Sequence, residues 1–129
     1  MATFSSLIRG DLSPAGEAID YRRTSAHSPV FADYQLLLLN SGTAALSLAM
    51  IAARQSAAGV TDPEVILPAY GCPDLVAAAE YAGLQVVLVD IEPEFPGYNL
   101  ESLGKAVNKN TVAVTAVNFL GIPERLSEI

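Results

Sequence analysis

The chain has 129 residues, 51% of them hydrophobic and only 16% charged, with 7 Lys and Arg against 14 Asp and Glu for a formal net charge of −7. That length suits one domain, and so apolar a composition points to a layered α/β core or part of a larger one. Nucleic-acid binding is excluded, because the basic residues are scattered and only Arg22 and Arg23 form a pair.

Residues 1–30 show little periodicity and hold Gly10, Pro14, Gly16 and Pro29. They read as an N-terminal arm with one short helix near Pro14 to Tyr21, either a loose terminus or a segment that packs on another subunit. From residue 31 the pattern sharpens. A helix or turn near Phe31 to Tyr34 leads into a buried strand over Leu36 to Leu39. A helix from about Thr43 to Ala58 follows, with Gly59 as its stop. A buried strand spans Glu64 to Leu67 and ends at Pro68. Asp74 to Tyr81 is a helix, with Pro73 near its first turn and Gly83 past its end. Gln85 to Val89 is a second buried strand, and Asp90 to Tyr98 a loop. Asn99 can cap a helix over Leu100 to Val107, and Thr111 to Val117 is a third buried strand. This alternation predicts βαβ units and a mainly parallel sheet covered on both faces, a three-layer αβα architecture. Ligands gather beyond the carboxyl ends of such strands. The stretches to inspect are therefore Pro68 to Pro73, Asp90 to Pro93 and Asn118 to Pro123.

The run Asn40-Ser41-Gly42-Thr43-Ala44-Ala45-Leu46 carries the main chemical signal. A polar turn that opens a helix presents unpaired N–H groups and the positive end of the macrodipole, which suits a phosphate. Gly42 permits close approach to the backbone, and Thr43 adds a hydroxyl. The same residues also make an ordinary helix cap. The single cysteine, Cys72, and the single histidine, His27, leave no internal disulfide and little material for a metal site or a Ser-His-Asp triad. No apolar stretch reaches membrane-spanning length and no signal-peptide order is present, so a cytoplasmic location is the default.

Several of these motifs occur together in a familiar order. Ser41-Gly42-Thr43-Ala44-Ala45-Leu46 precedes Glu64 to Tyr70, then Ala82 to Ile91, Asn99-Leu100-Glu101, Thr111 to Val114, and Val117-Asn118-Phe119-Leu120-Gly121-Ile122-Pro123. Over roughly residues 31–126 this resembles the opening of the large domain of the DegT/DnrJ/EryC1/StrS family. These are sugar aminotransferases that depend on pyridoxal 5′-phosphate and share the aspartate aminotransferase fold (fold type I). The resemblance implies that Gly42, Thr43 and Ala44 hold the cofactor phosphate. It places Cys72 where many members carry an aromatic ring against the pyridine face, with Tyr70 as a substitute. A small buried hydrophobe is the plain alternative for Cys72. Asn118 stands where the family often has histidine, able to bond the pyridoxal ring oxygen or a substrate, or simply to cap a loop.

The family's Schiff-base lysine and the carboxylate that pairs with the pyridinium nitrogen lie downstream of the Val117 to Pro123 block. Lys105 and Lys109 are the two lysines, and both read as solvated surface residues. Asp90 ends a strand, but its family counterpart is not the pyridinium partner. No catalytic residue and no metal ligand is therefore expected here. The leading expectation is the N-terminal part of an aminotransferase that is inactive alone. Its intact form would move an amino group from an amino acid, glutamate by expectation, to a keto-sugar nucleotide, as a homodimer or through association of exposed sheet faces. A non-catalytic pseudo-enzyme, a dimerisation module or half of a split enzyme is the alternative. A small nucleotide-binding domain ranks below both, since neither Gly-x-Gly-x-x-Gly nor a P-loop lysine motif occurs.

Overall fold

The computed structural model describes residues 37–129, so the arm, the expected helix near Pro14 to Tyr21, the turn near Phe31 to Tyr34, and His27 lie outside the described residues. Chain order is α1 (Gly42–Ser56), β1 (Glu64–Pro68), α2 (Asp74–Tyr81), β2 (Gln85–Val89), α3 (Leu100–Ala106), β3 (Thr111–Val114) and a 3-10 turn at Phe119–Gly121. The three strands are parallel in the order β2-β1-β3. One connection steps from β1 to β2 through α2, and the next returns across β1 to β3 through α3. Right-handed crossovers in opposite directions put their helices on opposite faces, and the packing follows. Val65 and Leu67 of β1 join Met50, Ala78 and Ala79 beneath α1 and α2, whereas Ile66 joins Val89, Tyr98 and Leu103 beneath α3. The alternation of β1 thus feeds two cores, which makes the layers αβα.

Local chemistry explains the boundaries. Helix α2 ends in a Schellman motif: the Leu84 N–H bonds the Ala79 carbonyl at 3.0 Å, and the Gly83 N–H bonds that of Glu80 at 3.0 Å. Gly83 has φ +69°, and a Cβ there would lie 2.5 Å from Arg54 Nη1, which itself bonds the Ala82 carbonyl at 2.9 Å. Asn99 caps α3 by accepting the Ser102 N–H at 2.8 Å.

Four expectations need correction. Residues 37–39 of the expected Leu36 to Leu39 strand are irregular, and Leu38 is 80% exposed. The apolar run signals a need for burial and not a pairing partner. Helix α1 stops at Ser56, two residues early, where the chain turns through Ala57 to Gly59 (φ +104°). Strand β3 ends at Val114: the Thr115 N–H still bonds the Ile66 carbonyl at 2.9 Å, but Pro68 of β1 has no N–H for the Thr115 carbonyl, which accepts from the Tyr98 hydroxyl at 2.8 Å instead. Of the three strands only β1 has a fully buried interior; β2 and β3 are the sheet edges, and Leu88 is 58% exposed. No helix among the described residues is long and apolar enough to cross a membrane.

Candidate functional site

The start of α1 stands beside the start of α2, the helix that follows β1, where Thr43 bonds Asp74. Ser41 is in extended backbone and its Oγ accepts the Ala44 N–H at 3.1 Å, while the Ala45 N–H bonds the Ser41 carbonyl at 3.1 Å. The N–H groups of Gly42 and Thr43 find no acceptor among the described residues. Ser41 is therefore the cap of α1, and the Gly42 and Thr43 N–H groups, without an acceptor among the described residues, are of the kind that an anion can take up. Ala44 has given its N–H to the cap. A Cβ built on Gly42 would meet nothing within 4 Å among the described residues, none of which demands glycine there. The Thr43 hydroxyl donates to Asp74 Oδ2 at 3.0 Å. This carboxylate sits in the first turn of α2, where its charge also suits that helix dipole. It stands in for an external anion as the acceptor for Thr43, and with the two N–H groups that lack an acceptor among the described residues the donor set fits a phosphate.

The loops after β1 and β3 meet at the same edge. The Tyr70 and Phe119 rings pack edge to face with centroids 5.3 Å apart, which brings the Tyr70 to Pro73 loop against the residue next to Asn118. Cys72 is exposed, so the buried-hydrophobe reading is corrected. Tyr70 is 63% exposed and offers a ring face where Cys72 cannot. The Asn118 Oδ1 accepts the Glu124 N–H at 3.0 Å. Asn118 is thus a loop lock, with only its Nδ2 donor group left to offer. Leu120 follows at φ +53°, a left-handed backbone that a branched side chain adopts at a penalty of about 1–2 kcal/mol. Of the residues singled out in the sequence, Thr43 is thus tied to Asp74 at the start of α2, and Tyr70 to Phe119, the neighbour of Asn118.

A buried polar cluster, unforeseen in the sequence, supports this edge. Glu124 is 8% exposed, and its carboxylate accepts the Tyr98 N–H at 3.0 Å and the Arg125 N–H at 2.9 Å. Arg125 donates to the Tyr98 carbonyl at 2.6 Å and stacks 4.7 Å from the Phe95 ring centroid. A Cβ on Gly97 would collide with Phe95 and lie 2.5 Å from Glu124 Oε1, so any side chain there would have to displace both. Burial, and then the Glu124 charge, push the Tyr98 phenol well above its ordinary range. The cluster clamps the loop after β2 to the tail after β3, and through the Glu124 backbone it fixes Asn118.

The lysines lie at the other end of the sheet. Glu64, the first residue of β1, donates its N–H to the Asn110 carbonyl at 2.8 Å and accepts from Asn108 Nδ2 at 2.8 Å, which places Lys109 at the amino edge. Lys105 is in the last turn of α3, paired with Glu101 at 2.6 Å. The five residues of β1 put about 13 Å between its amino and carboxyl ends. Asp90 follows β2 and accepts the Asn99 N–H through its carbonyl; its carboxylate has no partner among the described residues. A groove of about 570 Å³ opens at Ser41, Thr43 and Ala44 and runs away between α1 and α2 past Leu48, Ile51 and Tyr81. No group of three His, Cys, Asp or Glu among the described residues could hold a metal.

The model of the DegT/DnrJ/EryC1/StrS aminotransferase family matches residues 25–129. Sphingosine-1-phosphate lyase of Dictyostelium discoideum is 32% identical over 109 residues, 81% of this chain and 20% of that protein. GDP-4-keto-6-deoxy-D-mannose 3-dehydratase of Escherichia coli O55:H7 is 36% identical over 66 residues, 51% of this chain and 17% of that protein. A Streptococcus pneumoniae structure described as a sugar aminotransferase in its PLP form superimposes with a TM-score of 0.61 and 30% identity, over 70% of this chain and 22% of that one. The chain spans about a fifth of the length of these relatives.

Proposed function

Since the chain belongs to the DegT/DnrJ/EryC1/StrS aminotransferase family, we propose that residues 31–129 form the first part of the large domain of a pyridoxal-phosphate-dependent sugar aminotransferase. The observation that carries this is the start of α1, with two N–H groups that find no acceptor among the described residues and a hydroxyl already turned to an anion. In this reading Gly42 and Thr43 hold the cofactor phosphate through backbone donors, and Ala44 lines the seat. Tyr70, held by Phe119, offers an aromatic surface for the pyridine, with Cys72 beside it. Asn118, its carbonyl end occupied by Glu124, offers an N–H donor to a ring oxygen. When bound, pyridoxal phosphate supplies the electron sink for amino-group transfer.

The chain supplies no lysine to this edge, because Lys105 and Lys109 sit at the opposite one. The activity therefore needs a lysine contributed from outside these residues, and the chain alone is inactive. The substrates proposed for the complete enzyme are an amino-acid donor, glutamate by expectation, and a keto-sugar nucleotide, acted on by a cytoplasmic homodimer. Relatives whose names are those of a lyase and a dehydratase also match parts of this chain. The family match and the pneumococcal structure favour the aminotransferase.

Two experiments test the reading. Borohydride reduction with pyridoxal phosphate, followed by peptide mapping, should leave Lys105 and Lys109 without stoichiometric label. Mixing the chain with a polypeptide that carries the downstream part of a family large domain should restore a protein-bound cofactor absorbance and transfer from glutamate. A stoichiometric label on either lysine, or neither complex nor absorbance on mixing, would remove this assignment.

A further inference from the structure

We propose that Asp74 tunes the affinity of the α1 seat, as an anion built into the chain that competes with a ligand phosphate; this rests on the seat proposed above. The Thr43 hydroxyl has one proton, and it is given to Asp74 Oδ2 at 3.0 Å. It cannot be given to a phosphate at the same time. A phosphate seated on the Gly42 and Thr43 N–H groups would also stand close to the Asp74 carboxylate, and like charges oppose each other. Both effects have one sign: the seat binds phosphate less tightly than its donors alone would allow. Helix α2 keeps the competitor in place, because Asp74 lies in that helix's first turn with no basic side chain bonded to it among the described residues.

The charge and the hydrogen bond can be separated. In Asp74→Asn the side-chain carbonyl still accepts from Thr43 while the charge is gone. In Asp74→Ala both are gone and the hydroxyl is free. Pyridoxamine 5′-phosphate is the probe, titrated by its own fluorescence into the 129-residue chain and its variants. A carboxylate and a dianion about 6 Å apart in water-like surroundings differ from a neutral pair by roughly tenfold in affinity, less when screened. Asp74→Asn should therefore bind about three- to tenfold tighter at low ionic strength, with the gain shrinking toward about 1 M salt. Asp74→Ala should bind at least as tightly as Asp74→Asn, and adding Thr43→Val should remove its excess over Asp74→Asn. Pyridoxamine without the phosphate should not distinguish the proteins. Equal or weaker binding by Asp74→Asn overturns the role of Asp74 alone. Absence of phosphate-dependent binding by every protein overturns the seat itself, and Asp74 with it.

Discussion

Replacing Tyr98 by Phe isolates a hydroxyl that ties β1, the residue after β3 and the loop after β2 together. The hydroxyl donates to the Thr115 carbonyl at 2.8 Å and lies 3.3 Å from the Ile66 carbonyl. Ile66 keeps another donor, the Thr115 N–H at 2.9 Å, so the substitution orphans one acceptor only. The ring stays, and no cavity forms. A net hydrogen bond contributes about 0.5–1.5 kcal/mol, and an orphaned buried acceptor raises the loss toward about 2. Thr115 is only half-buried, so the expected loss is about 1.5 kcal/mol, read from urea unfolding followed by far-UV circular dichroism at neutral pH. The same residue carries a pH signature. Its pKa in the folded chain is raised, by burial first and the Glu124 charge second, so the fold retains a proton that the unfolded chain has released. The associated stability is complete below the unfolded tyrosine value of about 10 and falls as pH climbs above it. Tyr98→Phe should remove that alkaline decline. A loss under about 0.5 kcal/mol, or an alkaline decline identical in the two proteins, would refute the buried hydroxyl as a structural tie.

Gly83→Ala meets both a left-handed backbone and the Arg54 guanidinium 2.5 Å from the new Cβ; about 1–2 kcal/mol of stability should be lost in the same unfolding assay, partly recovered if Arg54 is shortened. Ser41→Ala removes the acceptor for the Ala44 N–H and should lower stability by about 1 kcal/mol. Because it frees a third first-turn donor, it should not weaken binding of pyridoxamine 5′-phosphate, whose titration checks that point.

Much of the fold was legible because its punctuation is local. Pro73 and Gly83 bracket α2, Asn99 opens α3, and β2 runs from Gln85 to Val89 as the apolar pattern indicates. The misreadings arose where burial and pairing part company. Leu36 to Leu39 looks like a strand by composition, yet residues 37–39 pair with no strand among the described residues; β3 stops where Pro68 of its neighbour has no N–H to give, and a tyrosine 17 residues upstream takes the Thr115 carbonyl. At the site, the α1 start is written in consecutive residues and could be read directly. Asp74 could not, since it reaches Thr43 across 31 positions. Nor could Glu124 and Arg125, which look like surface charges until the fold brings them to Tyr98, 26 and 27 residues away.

The central claim is that the first turn of α1 receives the phosphate of pyridoxal phosphate, and backbone amide spectra test it most directly. Titrating the ¹⁵N-labelled chain with pyridoxamine 5′-phosphate should shift the Gly42 and Thr43 amides first and furthest, with little change when pyridoxamine lacking the phosphate is used. Shifts that bypass those two amides, or that are the same with and without the phosphate, would contradict the account.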